Sequence, residues 1–280
     1  MSGALELLRT GDYARGLELF EARESRLHSK LRQLPFPEWR GEDLTGKRIM
    51  VQGEQGLGDE IQMARFIPRL RELGAAKVFI LCHELNLRLF QCFGADFYCQ
   101  RRGRVSLPDY DYWVGMLSLP HILGVRLETL SGDAYLPCPP AVRTDRVGLA
   151  WTGSVANPHH DERSLPSPDL LAGIPGGVLL EPTGDMLDSA QTLAGLNAVV
   201  TVCTSWAHLA GAMGIPTFIL LHHQADWRWG LGDRTPWYKS AWLYRQASPG
   251  DWSAPIASIQ REIRTWTTNA APSEPGPPAE

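Results

Sequence analysis

An apolar run that ends in three glycines within six positions and then an acidic pair limits this chain more than any other stretch: Arg48-Ile49-Met50-Val51-Gln52-Gly53-Glu54-Gln55-Gly56-Leu57-Gly58-Asp59-Glu60. A strand, a glycine-rich turn and a helix start, in that order, bring backbone N–H groups against a phosphate or a sugar. Glycine suits such a turn because a Cβ would block both positive φ angles and close approach. Gly56, Leu57 and Gly58 are therefore candidate binding residues. Asp59 falls in the first turn of the helix, where an acid caps N–H groups and meets the helix dipole favourably. The same place would let it take a proton from a bound hydroxyl, and the residues alone leave both roles open. Glu54 and Glu60 are neighbours that could substitute, although one step along a helix turns a side chain elsewhere.

At 280 residues the chain is long enough for two ordinary domains. With 44% hydrophobic and 21% charged residues it has a normal globular balance. A net charge of −4 argues against a protein that coats a nucleic-acid backbone, so no strong nucleic-acid signature is expected. The five cysteines, Cys82, Cys92, Cys99, Cys138 and Cys203, are scattered without a CxxC pair and read as reduced thiols of a cytoplasmic protein with no zinc site. The N-terminus lacks a signal layout and no apolar run approaches 18 residues, so neither secretion nor a membrane span is expected. Most of the ten tryptophans lie beyond Trp151.

Along the chain, residues 4–31 carry helical spacing in two pieces, with Gly11-Asp12 as break and cap. The second piece has the look of one tetratricopeptide-type hairpin; no copy recurs at a 34-residue period, so it reads as a helical extension. Pro35-Phe36-Pro37-Glu38-Trp39 reads as a rigid linker. Strand and helix then alternate: Ile49–Gln52, a helix over Asp59–Leu73 bent at Pro68, Lys77–Cys82, a helix over Leu85–Phe93, and Tyr110–Val114. After Pro137-Cys138-Pro139-Pro140 the alternation restarts with Arg146–Trp151, a helix near Pro168–Ala172, Val178–Glu181, a helix over Asp188–Ala194, Ala198–Val202, a small-residue helix over Thr204–Met213, and Pro216–Leu221. This α/β pattern predicts two Rossmann-like domains, with ligands at the carboxyl ends of parallel strands. The expected boundaries are a helical extension over 1–34, an N-terminal Rossmann-like domain over 35–140, a C-terminal one over 141–267, and a proline-rich disordered tail over 268–280.

These residues carry a resemblance. Gly53-Glu54-Gln55-Gly56-Leu57-Gly58-Asp59-Glu60, Leu117-Ser118-Leu119-Pro120, Val147-Gly148-Leu149-Ala150-Trp151-Thr152-Gly153, Asp161-Glu162-Arg163-Ser164, Ala207-His208-Leu209-Ala210-Gly211-Ala212, Asp226-Trp227-Arg228-Trp229 and Pro236-Trp237-Tyr238 occur in register between Gly11 and Trp252. In this the chain resembles the glycosyltransferase domain of bacterial tetratricopeptide-repeat proteins, related to lipopolysaccharide heptosyltransferases and more distantly to O-GlcNAc transferases. The resemblance implies the GT-B fold: two Rossmann-like domains facing a central cleft, the first for the acceptor and the second for a nucleotide-diphosphate sugar. It also implies inverting transfer to a hydroxyl without a metal or other cofactor. The acceptor stays open among a glycan, a protein and a modified nucleobase.

The resemblance to heptosyltransferases puts Asp59 in the role of base. For Thr204, Ser205 and His208 the residues themselves suggest a role, since hydroxyls and N–H groups at a helix start bind phosphate without a metal. A histidine one turn in could join them, or be a buried histidine satisfied by backbone. Arg163 is a planar, always-charged donor suited to a phosphate; the resemblance assigns its loop to the donor's phosphates, with Thr152 and Gly153 in the turn beneath. Glu181, at a strand end, is placed to face the nucleoside. Asp226 and Trp227 follow another strand end, where an aromatic residue suits either stacking on a ligand or packing at an interface. His159-His160-Asp161 matches no common metal-ligand spacing. One departure stands out: the family usually has Asp where this chain has Cys203. Two other readings compete, a heptosyltransferase acting on lipopolysaccharide and a non-catalytic GT-B protein that binds a ligand or partner.

Overall fold

The computed structural model describes residues 2–23, 35–100 and 106–268. The chain divides into two compact units, Met1–Leu130 with Gly184–Leu187, and Ser131–Thr183 with Asp188–Glu280.

The first unit opens with a helical pair, α1 (Ser2–Arg9) and α2 (Tyr13–Phe20). Asp12 caps α2 by accepting from the Arg15 N–H at 3.2 Å, and Leu8, Tyr13, Leu17 and Phe20 are buried. The remainder of the expected extension, 24–34, lies outside the described residues. A four-stranded parallel sheet follows, with β1 (Arg48–Gln52), β2 (Lys77–Cys82), β3 (Phe97–Gln100) and β4 (Tyr112–Gly115) in the order β3-β2-β1-β4. Between β1 and β2 run α3 (Leu57–Met63), a 3-10 turn over Ala64–Phe66, and α4 (Ile67–Glu72). The bend in this connection is therefore the 3-10 turn, and Pro68 sits in the first turn of α4, where its missing N–H costs nothing. The region predicted as one helix over Leu85–Phe93 is a 3-10 turn, the short α5 (Leu87–Phe90) and another 3-10 turn. α6 (Leu119–Ile122) follows β4.

Pro35–Trp39 is not a free linker. Trp39 N–H donates to Trp113 O at 2.7 Å and Trp113 N–H to Pro37 O at 3.0 Å, so the segment lies parallel against β4. Phe36 packs its ring on Tyr110 at 4.3 Å and adds apolar area to the sheet face formed by Met50, Phe79 and Leu81, and Trp39 is buried.

The second unit carries a five-stranded parallel sheet in the order β6-β5-β7-β8-β9, formed by β5 (Val147–Ala150), β6 (Gly177–Leu179), β7 (Ala198–Val202), β8 (Thr217–Leu221) and β9 (Ala241–Arg245). Its helices are α7 (His160–Arg163), α8 (Met186–Ala194), α9 (Ser205–Ala212) and α10 (Ser253–Thr268). α10 lays Ile256, Ile259 and Ile263 against Val200, Val202, Phe218, Leu220 and Trp242, giving the unit one continuous apolar core. The segment 131–140, expected with the first domain, is bonded into this unit: Tyr135 and Leu136 N–H both donate to Ala212 O, and Lys239 N–H donates to Gly132 O. The proline-rich tail beyond Thr268 lies outside the described residues.

In both sheets the chain builds outward on one side of its first strand and then crosses to the other. The topological switch point falls between β1 and β4 in the first unit and between β5 and β7 in the second. Open α/β sheets receive ligands beyond the carboxyl ends of the two strands at that point.

Candidate functional site

The switch point of the first unit is closed by the chain itself. The Arg23 guanidinium, fully buried, donates from Nε and Nη2 to the two oxygens of Glu54 at 2.8 and 2.6 Å. It reaches the loop after β4 as well, donating to Ser118 Oγ at 2.8 Å, while Leu117 N–H donates to Glu54 Oε1 at 3.2 Å. Gly115 at the end of β4 has no room for a side chain, since a Cβ would lie 2.5 Å from Glu54 Oε1. Glu60 is equally committed. Buried on α3, it accepts from the His83 N–H at 2.9 Å and from Asn86 Nδ2 at 2.8 Å, and a Cβ on Gly53 would lie 2.2 Å from its carboxylate. Both substitutes for the base are thus tied into the scaffold.

Asp59 is half-buried at the third position of α3 and accepts from the Gly56 N–H at 2.9 Å. The cap is therefore formed, and the Gly56 N–H is satisfied within the turn. Leu57 is half-buried and Gly58 buried. The expected positive φ falls on none of the three glycines; it falls on Gln55, at 56°. In this turn glycine serves close approach: Gly53 against Glu60, and Gly56 with a Cβ position 3.2 Å from Asp59 Oδ2.

In the second unit the predicted residues gather around the carboxyl ends of β5, β7 and β8. After β5, Thr152 Oγ1 lies 3.3 Å from Ser164 Oγ, to which the Gly153 N–H also donates at 3.3 Å. Arg163 closes α7 and lies against Gly153, where a Cβ would come within 2.7 Å of its Nη2. Its Nε is buried without a hydrogen-bond partner. After β7, Thr204 caps α9 by accepting from the Trp206 N–H at 3.2 Å, and Ser205 is the first residue of that helix. Asp226, Arg163 and Arg228 are each close enough to act on Cys203: burial and then the Asp226 carboxylate push its thiol up to about 11, against the Trp229 hydrogen bond and the pull of both arginines. Cys203 thus stays a neutral thiol near neutral pH.

After β8, Asp226 accepts from the Arg228 N–H and from Arg228 Nη1, both at 3.0 Å. Trp227 is buried edge-on against Trp237 at 5.9 Å, with the Arg228 guanidinium 4.7 Å above its ring. Glu181 is exposed two residues beyond the edge strand β6.

His208 is buried, and its Nδ1 lies 2.9 Å from the Tyr238 hydroxyl. Trp229 stacks on the imidazole at 5.1 Å and donates its indole N–H to Cys203 Sγ at 3.0 Å. Tyr238, Trp229 and Ser164 were not singled out as site residues from sequence. The available signal was the pairing of Asp226-Trp227-Arg228-Trp229 and Pro236-Trp237-Tyr238 with a helix of small residues, where large aromatics have space to close in. His222, another buried residue just past β8, also went unnoticed. Among the described residues no group of three or more His, Cys, Asp or Glu could hold a metal ion, and no helix is long and apolar enough to cross a membrane.

No protein-family model matches the sequence. The chain is 24% identical to protein FlbA of Caulobacter vibrioides over 94% of its own length and 54% of that protein's, so it spans about half the length of the curated relative it matches. Among solved structures it is similar to a glycosyl transferase family 9 protein from Veillonella parvula, at 12% identity and a TM-score of 0.55 over 83% of this chain and 100% of that one. It is similar to the E. coli heptosyltransferase WaaC with ADP, at 12% identity and a TM-score of 0.51 over 78% and 97% of the two chains. The iron-containing dodecameric glycosyltransferase TibC of enterotoxigenic E. coli gives 11% identity and a TM-score of 0.53 over 76% of this chain and 66% of that one. At these identities the likeness is one of fold, and the fold this chain shares is that of bacterial glycosyltransferases.

Proposed function

We propose that the chain is an inverting, metal-independent glycosyltransferase that moves a sugar from a nucleotide-diphosphate sugar to a hydroxyl acceptor. The observation that carries this reading is the second switch point, where Arg163, with a buried Nε that has no hydrogen-bond partner, is close enough to act on Cys203, the residue before the cap of α9. That pairing suits a diphosphate: a charge-assisted fork on one side, helix N–H groups and a hydroxyl on the other. The solved neighbour WaaC holds ADP, which makes ADP-linked sugars the first donors to try. A heptose donor fits this reading too, and a GT-B arrangement of the two units belongs to it.

In the proposed reaction Asp59 takes the acceptor proton as the acceptor oxygen bonds to the anomeric carbon. The bond from that carbon to the diphosphate breaks, and its electron pair leaves with the nucleoside diphosphate. Arg163, the N–H groups of Thr204 and Ser205, and His208 meet the charge that develops there. A base of this kind is worth ~10²–10⁴-fold in rate. The Gly56–Asp59 hydrogen bond supports the role indirectly, because it holds the carboxylate at the head of the turn.

The test is thermal unfolding against ADP-, UDP-, GDP-, dTDP- and CMP-linked sugars with EDTA present. A donor at 100 times its dissociation constant should stabilise the fold by ~2.7 kcal/mol. A shift by one nucleotide class in EDTA supports the donor site and its metal independence; no shift with any of them sinks the reading. Transfer by wild type but not by Asp59→Ala, with donor affinity kept, then separates an enzyme from a non-catalytic binder.

A further inference from the structure

His208 sits in a cage whose parts come from three places in the sequence. Tyr238 meets the imidazole edge-on at 5.8 Å, and Trp229 stacks on its face at 5.1 Å with an interplanar angle of 27°. Tyr238 can approach only because residue 211 is glycine: a Cβ there would lie 2.5 Å from the tyrosine Cγ. Trp229 is fully buried, and its indole N–H is fixed on Cys203 Sγ at 3.0 Å. Two aromatic side chains are thus placed around one histidine, one of them held in turn by Cys203. One of these contacts, Tyr238 Oη to His208 Nδ1 at 2.9 Å, falls on a ring nitrogen.

A phenol is a better donor than acceptor because its ring withdraws the oxygen lone pair, and an unprotonated imidazole nitrogen is a good acceptor. A hydrogen bond accepted at one ring nitrogen leaves the proton on the other. We propose that Tyr238 is a positioning residue: its hydroxyl donates to Nδ1 of His208 and so fixes the tautomer with the proton on Nε2, while Trp229, held through Cys203, fixes the ring plane. This inference rests on the donor-site reading of the second unit. It gives the site a neutral N–H donor for a phosphate or sugar oxygen, where the opposite tautomer would present a lone pair to an anion. Cys203 also gains a part in this arrangement, as the acceptor that pins the stacking tryptophan.

The experiment is long-range ¹H–¹⁵N spectroscopy of histidine-labelled protein, with His208 assigned from His208→Gln, in wild type and Tyr238→Phe, without nucleotide and then titrated with ADP. The phenylalanine keeps the ring against Gly211 and removes only the hydroxyl. The expected result is a single Nε2–H tautomer in wild type and a mixture in Tyr238→Phe, with ADP bound about five- to tenfold more weakly by the variant, as one neutral hydrogen bond implies. An Nδ1–H tautomer in wild type overturns the proposal even if the variant fails to fold, as does an unchanged single tautomer in a folded variant. A tautomer fixed by Tyr238 but indifferent to ADP in both proteins would keep the positioning role and remove the donor-site reading.

Discussion

The two sheets have the same kind of switch point, and each places an arginine there, but the two arginines are treated differently. Arg23 comes from just beyond α2, is fully buried, and is matched by Glu54, Ser118 and Glu21. Arg163 comes from the loop after β5, is partly exposed, and keeps its Nε without a partner. A guanidinium whose donors are all matched by protein acceptors is an element of the scaffold. One left with an unsatisfied buried donor is stabilised by an anion that arrives from outside. On the proposed reading, the same topology places an arginine matched by the chain itself in one unit and one left to meet an anion in the other. What separates them is which partners the chain supplies.

The largest test of this contrast is removal of each cation in turn. Arg23→Met leaves the Glu54 carboxylate buried without its partner, and breaking a buried pair from one side costs about 3–5 kcal/mol. Denaturant unfolding should show a loss of that size, with much of it recovered in Arg23→Met/Glu54→Met, where no charge is left stranded. A loss under ~1 kcal/mol would mean that the helical pair is an appendage and not part of the first unit. Arg163→Met should do the reverse. Its stability should stay within about 0.5 kcal/mol of wild type, while affinity for ADP or the preferred nucleotide falls about ten- to a hundredfold, the scale of one charge-assisted hydrogen bond. An Arg163 variant that unfolds while binding nucleotide normally would break the comparison.

A smaller test addresses the packing in the second unit. Gly211→Ala puts a Cβ into the Tyr238 ring, and overpacking of this sort costs about 1–3 kcal/mol. Calorimetry should find that loss together with weaker nucleotide binding, because Tyr238 must move off His208 to make room. The matching change in the first unit, Gly53→Ala, should lower stability by a similar amount without passing through the nucleotide site.

How far these differences could be read beforehand depended on whether the partners were local. Lys77–Cys82 and Ala198–Val202 were legible to the residue, because buried parallel strands are short apolar runs rich in β-branched residues between turn signals. β3 was missed: it is short, lies at a sheet edge, and ends in Cys99 and Gln100. β9 and α10 were missed as well. No element was assigned beyond Leu221, although Trp252, Ile256, Ile259 and Ile263 are spaced as a helical stripe. The candidate site followed the same division. The turn after β1 and the start of α9 showed themselves in consecutive residues. The Arg23–Glu54 pair joins positions 31 residues apart, and the Cys203–Trp229 contact 26 apart, so no local pattern announces either. Cys203 was visible as a departure, but what it accepts from was not.

The smallest effect concerns a histidine in the second unit. His222 follows β8 directly, is 9% exposed, and its Nδ1 has no hydrogen-bond partner. Burial holds its pKa below the ordinary histidine value, helped by His159 and Arg245 and outweighing the opposite pull of Glu162 and of a hydrogen bond with the Gln224 backbone. The unfolded chain therefore binds a proton on this group at a pH where the fold keeps it neutral. The stability it allows is present in full above the unfolded value of about 6.5 and is lost as pH falls from there toward the folded value. Wild type should lose stability relative to His222→Gln on acidification from pH 7.5 to 5, with a slope below about 1.4 kcal/mol per pH unit, the limit for one proton. Comparing the two proteins removes the contributions of Asp96 and Asp111, whose lowered values make them titrate further down and equally in both. Parallel curves for the two proteins would show that the fold does not hold the proton off His222. The contrast between the two units would then rest on the two arginines alone.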